Sequence, residues 1–364
     1  MIHIAHSTDP TIGDVLKEEW NELAAASTNP SVFNTYNYIL NSWHAFESHS
    51  NSLHLLTARW NDKLVGLLPL RISKPDPANG ELTTLSYAGS TGNDRPYLLA
   101  RPQHETAIWD GFLHTIKTMD WDRLDFPRIP TKSPGRFALT LHFDALGMAL
   151  VDSKPDNYWT QVNLSRPTPV PVPLHQHSTA AHVAQFLTPD FCRHYPDHLV
   201  DEFLTPNRIE EGLDIFIEIV SNSHIGNGWE FLGISPSIPH SQCESFFRRT
   251  VLDLCQDGYT GSRVLRSGRT ILAANITHTF GDTSCIHATV AADEHQEYMP
   301  NEALNALLIE RLRDQPPTSA VSTVANARQL KRWACGTTAA ENVSVYRNDF
   351  RRSNPRPDLE AVDH

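Results

Sequence analysis

The sequence predicts an α/β protein made of two tandem modules, each a mixed central sheet flanked by helices. Three observations carry this. The chain has 364 residues, and at about 150 residues per domain that length holds two domains. A hydrophobic content of 40% with 20% charged residues is ordinary for a chain that buries real cores. One order of parts (hairpin, strand, helix, strand) occurs on both sides of a proline-rich segment, which suggests duplication of one α/β unit.

In the first half, Val15–Ala26 and Tyr36–Phe46 read as helices. Leu53–Ile72 reads as two β-rich arms around the turn pair Asn61-Asp62, a hairpin. A strand follows at Leu82–Ala88. Ile108, Phe112, Ile116 and Met119 recur at helical spacing, and Arg123–Phe126 closes the module as a strand. Proline then stands at every second position from Pro167 to Pro173, inside Ser165–Ser178. Such a run lacks donors for a central strand and favours extended geometry, so it reads as a stiff linker, with an irregular edge strand as the alternative.

The second half repeats the order. Thr205-Pro206 reads as a helix start before the apolar stripe Ile209, Leu213, Phe216, Ile217 and Val220. Ser241 and Glu244 have capping-box spacing ahead of Phe247, Val251 and Leu254. Ser262–Phe280 is a hairpin around Ser267-Gly268, and Cys285–Ala291 is the next strand. Leu304, Leu307, Leu308 and Leu312 mark a helix, and Ala320–Val324 a strand. The expected organisation is a first module over 1–164, a linker over 165–178, a second module over 179–350 and a polar tail over 351–364.

Composition excludes several classes. A net charge of −12 disfavours nucleic acid and anionic lipid. The longest apolar run, Leu64–Leu70, is far short of the about 20 residues of a membrane span. Residues 1–6 lack the features of an export signal, so a cytoplasmic protein is expected, and the three sequons at Asn163, Asn275 and Asn342 read as chance. Five scattered cysteines without a CxxC fit a reducing compartment. The motifs GxGxxG, GxSxG and HExxH and a Walker loop are all missing. His194 and His198, four apart with Asp201 beyond, could share a helical face, but Pro196 weakens that helix. His175 and His177 flank Gln176 beside the linker. Most such histidines are solvated, and no metal is expected.

The segment Cys285–Leu312 is more informative. A strand ends near Ala291, a polar loop follows, and a helix starts at Pro300-Asn301-Glu302-Ala303. Backbone N–H groups at a helix start can hold a diphosphate, and proline at the first turn loses no hydrogen bond there. An ordinary strand-to-helix connection would look the same.

Here the sequence resembles the GCN5-related N-acetyltransferase (GNAT) superfamily. It is more narrowly similar to the CelD/BcsL-like acetyltransferase branch, relatives of the FemAB peptidoglycan aminoacyltransferases. The hairpin end Leu64–Leu70 resembles the family's "lvGl.PL" segment, and Gly92–Tyr97 falls where relatives carry Asp-Tyr before a loop. Tyr298–Ala303 falls at their "sPG" loop, and Gln329–Trp333 resembles "YK..W". The likeness runs from about Trp20 to Arg347. Asn301 replaces the family's glycine, and asparagine tolerates the left-handed backbone expected there. Leu330 replaces a tyrosine, and Arg193–Glu202 replaces a basic helix.

The resemblance implies acyl transfer from acetyl-CoA or another acyl-CoA, as co-substrate, to a primary amine of a small metabolite or a carbohydrate-linked acceptor. The second module would hold the donor through Val290, Met299, Pro300, Asn301, Glu302 and Ala303. His287 has suitable chemistry for removing the amine proton. Lys331 would meet a phosphate or the developing oxyanion. Asp94 and Tyr97, from the first module, would orient the acceptor, Asp94 with a catalytic part. Two other readings stay open: an aminoacyl-tRNA donor, which the charge balance and the missing basic helix disfavour, and a scaffold that has kept the fold without the activity.

Overall fold

The computed structural model describes residues 1–9, 11–28, 30–73, 82–89, 98–130, 148–163, 189–223, 229, 234, 237–313, 320–323 and 336–347. The chain divides into two compact units.

In the first unit a short strand β1 (His3–Ser7) precedes helices α1 (Thr11–Ala26) and α2 (Tyr36–Phe46). The hairpin is β2 (Asn51–Trp60) and β3 (Lys63–Ser73). Its turn residues Asn61 and Asp62 have φ of 49° and 61°. A two-residue turn that matches strand twist needs φ above zero at both positions, and Asn and Asp tolerate this best after glycine. β4 (Thr84–Tyr87) pairs antiparallel with β3. A two-residue strand, β5 (Leu99–Ala100), takes over further along β3 at Gly66 and Leu67. Helix α3 (Glu105–Thr118) then leads to β6 (Arg123–Pro130), which lies parallel to β4. The apolar stripe foreseen on α3 is buried: Ile108, Phe112 and Ile116 join Trp109, Tyr87, Phe126 and Leu68 in one core.

The buried Glu47, just past α2, ties this unit together. It is 1% exposed, meets the Arg71 guanidinium at 2.8 Å and accepts the Gly89 N–H at 3.1 Å. Gly89 has φ of 70°, and a Cβ there would press on the Ile39 backbone, so glycine is required at this turn.

The second unit takes its first strand from the end of β7 (Met148–Asn163), continues through α4 (Pro189–His194), β8 (His198–Phe203), α5 (Ile209–Asn222) and α6 (His240–Gln256), and then forms the meander β9 (Thr260–Ser267), β10 (Thr270–Phe280) and β11 (Thr283–Ala291). Helix α7 (Pro300–Arg313) connects β11 to β12 (Ala320–Thr323). The strand order is β7-β12-β11-β10-β9-β8, with β11 and β12 parallel and every other pair antiparallel. Each unit therefore has the predicted mixed sheet with flanking helices. Side chains alternate along strands. On β9, Ser262 lies under Gly212 of α5, while Leu265 packs with Ala303 and Leu304 of α7.

Three local expectations need correcting. The helix expected at Pro206 begins at Ile209, because Thr205 O accepts from Arg208 N and Ile209 N at 2.9 Å, a turn ahead of the helix. Ser241 lies inside α6, whose N-cap is Pro239, so Ser241 and Glu244 form no capping box. α4 ends at His194 and His198 opens β8, so these histidines share no helical face. The last strand, β13 (Gly336–Arg347), pairs antiparallel with β6, and from Ala339 on it belongs to the first unit. The modules are thus not a simple split of the chain, although the second was expected to run to residue 350. The proline-rich segment 165–178 and the tail 351–364 lie outside the described residues.

Helix α5 comes close to the sheet at Gly212. A Cβ there would stand 2.8 Å from the Phe203 ring and 2.9 Å from Ser262 Cβ. Gly212→Ala should lower the unfolding free energy by about 1–3 kcal/mol, the usual range for overpacking. An unchanged denaturant midpoint would show that α5 lifts without penalty.

Candidate active site

The strand, loop and helix singled out in the sequence form one continuous feature. β11 pairs with β12 from Thr283 opposite Ala320 to Ile286 opposite Thr323. β11 itself runs on to Ala291. At Ile286 the pairing with β10 shifts. Thr277 faces Ile286 and Ile276 faces Ala288, so His287 is the extra residue of a β-bulge. A bulge bends its strand and leaves one residue out of the ladder, which is how sheets re-aim side chains and backbone groups.

A 3-10 turn (Asp293–Tyr298) joins β11 to α7. The left-handed residue in this loop is Met299, with φ of 51° and ψ of 51°, and not Asn301, which is already helical. Met299 O accepts from Glu302 N at 3.1 Å and Ala303 N at 3.2 Å. Pro300 has no N–H, so Asn301 is the first-turn amide that these contacts leave for a ligand. Ala303 is buried with Leu304 in the core beneath the helix, and Val290 is half-buried opposite Ala274. The positive end of α7 favours an anion. Its surroundings are acidic, however: Asp293, Glu294 and Glu297 lie in the turn and Glu302 in the first helical turn.

Helix α4 buttresses this turn, a contact the sequence did not reveal. His194 stacks on Tyr298 with ring centroids 4.2 Å apart, and the Tyr195 hydroxyl meets His295 Nδ1 at 3.0 Å. The phenol of Tyr298 is pushed up first by its hydrogen bond to Glu297, then by burial.

His287 is buried against the Phe247 ring of α6. Its Nδ1 lies 2.8 Å from Nε2 of His278, whose Nδ1 is 2.6 Å from Thr260 Oγ1. Burial pulls His287 down to about 4. It pulls His278 lower as well, helped by the neighbouring His287. Both rings are therefore neutral at pH 7 and share a hydrogen bond. His278 was absent from the sequence reading; as an isolated strand histidine it carried no signal. Asp94, Tyr97 and Lys331 lie outside the described residues. Among the described residues no group of three or more His, Cys, Asp and Glu is placed to hold a metal ion. None of the described helices is long and apolar enough to cross a membrane.

The corresponding helix start in the first unit is already filled. Glu105, in the first turn of α3, is 2% exposed and accepts from Thr28 Oγ1 at 2.5 Å. A carboxylate at that positive end competes with any incoming anion.

No family model matches the chain, and no curated protein does. Solved structures do. FemX aligns over 97% of this chain and 100% of its own at 9% identity, with a TM-score of 0.61. A conserved protein of unknown function from Bacteroides thetaiotaomicron aligns over 95% and 100% at 11% identity, TM-score 0.54. L-PGS from Bacillus licheniformis aligns over 95% and 93% at 10% identity, TM-score 0.50. At such identities the likeness is one of fold, and it spans both units.

Proposed function

We propose that the protein is an N-acyltransferase that moves an acyl group, acetyl first among them, from an acyl-CoA thioester to a primary amine of a small metabolite or carbohydrate-linked acceptor. The observation that carries this reading is the bulge at His287, which sets one residue of β11 out of the ladder with β10 before the strand leads into the turn ahead of α7. Backbone donors at a bulged strand position can polarise a thioester carbonyl, and they need no reorganisation as charge develops. Once the ammonium has lost one proton, its nitrogen attacks the carbonyl carbon, the carbon–sulfur bond breaks, and the departing thiolate takes the nitrogen's second proton. The ammonium proton goes to His287. Asn301 N–H and the start of α7 take the donor diphosphate, with Val290, Met299, Pro300, Glu302 and Ala303 around it. Lys331 meets a phosphate or the oxyanion, and Asp94 and Tyr97 orient the acceptor.

The acidic turn beside α7 has two effects. It weakens attraction for an anionic donor, and it raises the local concentration of a cationic amine. The same acidity favours a second reading, an aminoacyl ester of tRNA as donor, whose α-ammonium the carboxylates would attract. Titration calorimetry with acetyl-CoA, then with charged tRNA, separates the two. Asn301→Glu sets a further carboxylate against the diphosphate and should weaken acetyl-CoA binding more than tenfold, over ~1.4 kcal/mol. Binding of charged tRNA without acyl-CoA binding at millimolar ligand would transfer the assignment to the second reading. Binding of neither would leave a scaffold.

A further inference from the structure

Beneath α7 the sheet carries a polar layer with one group left over. Residues opposite each other on neighbouring strands share a face. Asn275 of β10 stands opposite Arg263 of β9 and Thr289 of β11. Both neighbours reach α7: Thr289 Oγ1 donates to Asn305 Oδ1 at 2.7 Å, and Arg263 shares Glu202 with Arg311. Two residues along β10, Thr277 Oγ1 accepts from Arg263 Nη1 at 2.7 Å and donates to the Gly261 carbonyl at 3.3 Å. Each of these side chains has a partner. Asn275 has none: it is 0% exposed, and neither its Oδ1 nor its Nδ2 meets a hydrogen-bonding group of the protein. Exchanging the two amide atoms would not help, since both are bare. A carboxamide brings two donors and an acceptor with two lone pairs. Leaving them bare in the interior costs more than a typical hydrogen bond returns, so the large majority of buried polar side chains are paired. Where protein groups do not reach, buried water supplies the partners, each molecule making about two to four hydrogen bonds.

We propose that Asn275 is the floor of a buried binding site between β10 and α7 that takes a water molecule and fixes it there. The Asn275 carboxamide supplies one arm of the site. Thr289 Oγ1, whose own proton goes to Asn305, accepts on the other. The water thereby joins β10 to the Thr289–Asn305 bond and through it to α7. Nearer its start the same helix sits on an apolar layer, with Ala303 and Leu304 packed on Leu265, Leu272 and Ala273. Apolar packing is non-directional, whereas a bridged hydrogen bond has a preferred geometry, so the water site holds the middle of α7 in one register over the sheet. The site lies under the helix whose first turn is proposed to take the donor diphosphate, and it stands independently of that reading.

The test is a crystal structure of the full chain at a resolution that shows ordered water, with ¹⁷O magnetic relaxation dispersion as the readout in solution. Density for a water within about 3.2 Å of an amide atom of Asn275 and of Thr289 Oγ1 is expected. In solution, Asn275→Leu keeps the bulk of the side chain without a polar atom and should remove at least one long-lived internal water. Thr289→Val takes away the other arm and should do the same, which keeps the test open should the leucine variant fail to fold. A crystal in which the Asn275 amide bonds directly to Thr289 or Asn305 overturns the proposal, as does one in which the amide is dry. An unchanged number of long-lived waters in either folded variant overturns it as well.

Discussion

Glu202→Gln should lower the unfolding free energy by about 3–5 kcal/mol, the range for breaking a buried ion pair from one side. Glu202 lies on the edge strand β8 and serves two guanidinium groups. Its Oε1 accepts from Arg263 Nε at 2.9 Å, and its Oε2 meets Arg311 of α7 at 2.5 Å. Arg263 also donates to Thr277 Oγ1 at 2.7 Å. The side chains of Glu202 and Arg263 are only 15% and 8% exposed, whereas Arg311 is 49% exposed. Burial depresses the Arg263 guanidinium, and Glu202 is what holds its charge there. Without the carboxylate, two like charges face each other across a site that water barely reaches. The asymmetry matters more than the strength of either pair, since removing one partner strands the other. Replacing Glu202 and Arg263 together with apolar residues of similar volume should therefore recover part of the loss. Urea unfolding of the two variants reads both effects. A loss below about 1 kcal/mol in Glu202→Gln would mean that the half-exposed Arg311 swings out and water solvates the rest.

Much of the fold was legible because the signals were local. Asn61-Asp62 and Ser267-Gly268 mark turns by residue type, and the helix expected over Tyr36–Phe46 has those bounds. What stayed hidden depends on partners distant in the chain. β8 reads HLVDEF, an edge strand whose charged residues Asp201 and Glu202 answer Arg266 and Arg263 on β9, about sixty residues later. β13 takes its place beside β6, which lies some two hundred residues earlier in the chain. At the site, the strand, loop and helix were readable from Cys285 to Leu312. The assignment of left-handed backbone to Asn301 went wrong because residue preference outranked position: the helix claims Asn301, and the bend falls on Met299, an unfavoured type. The bulge at His287 and its contact with His278 had no sequence signature, since both arise from register between strands.

The other large effect is on rate. His287→Gln should slow acyl transfer roughly 10²-fold, the lower end for removal of a general base. The lower end applies because burial holds His287 at about 4, well under the neutral value best matched to this task. The same shift fixes the pH dependence. A base titrating near 4 is fully deprotonated at pH 6–8, so kcat/KM should show no inflection from His287 near its ordinary value of 6.5 and should fall only as pH approaches 4. Folding stability is linked with a definite sign. The unfolded chain binds the proton near 6.5 and the folded protein only near 4, so the stabilisation is complete above 6.5 and is lost as pH falls from there through 4. His278, shifted in the same direction, adds to that slope. Glutamine at 287 does not titrate, so the variant should show a shallower loss of stability across this window together with the slower rate. Measuring kcat/KM and the denaturation midpoint from pH 4 to 8 in both proteins tests the two effects side by side. An unchanged rate in a folded variant whose stability slope has flattened would leave His287 as a buried packing residue and pass the proton to water or a carboxylate.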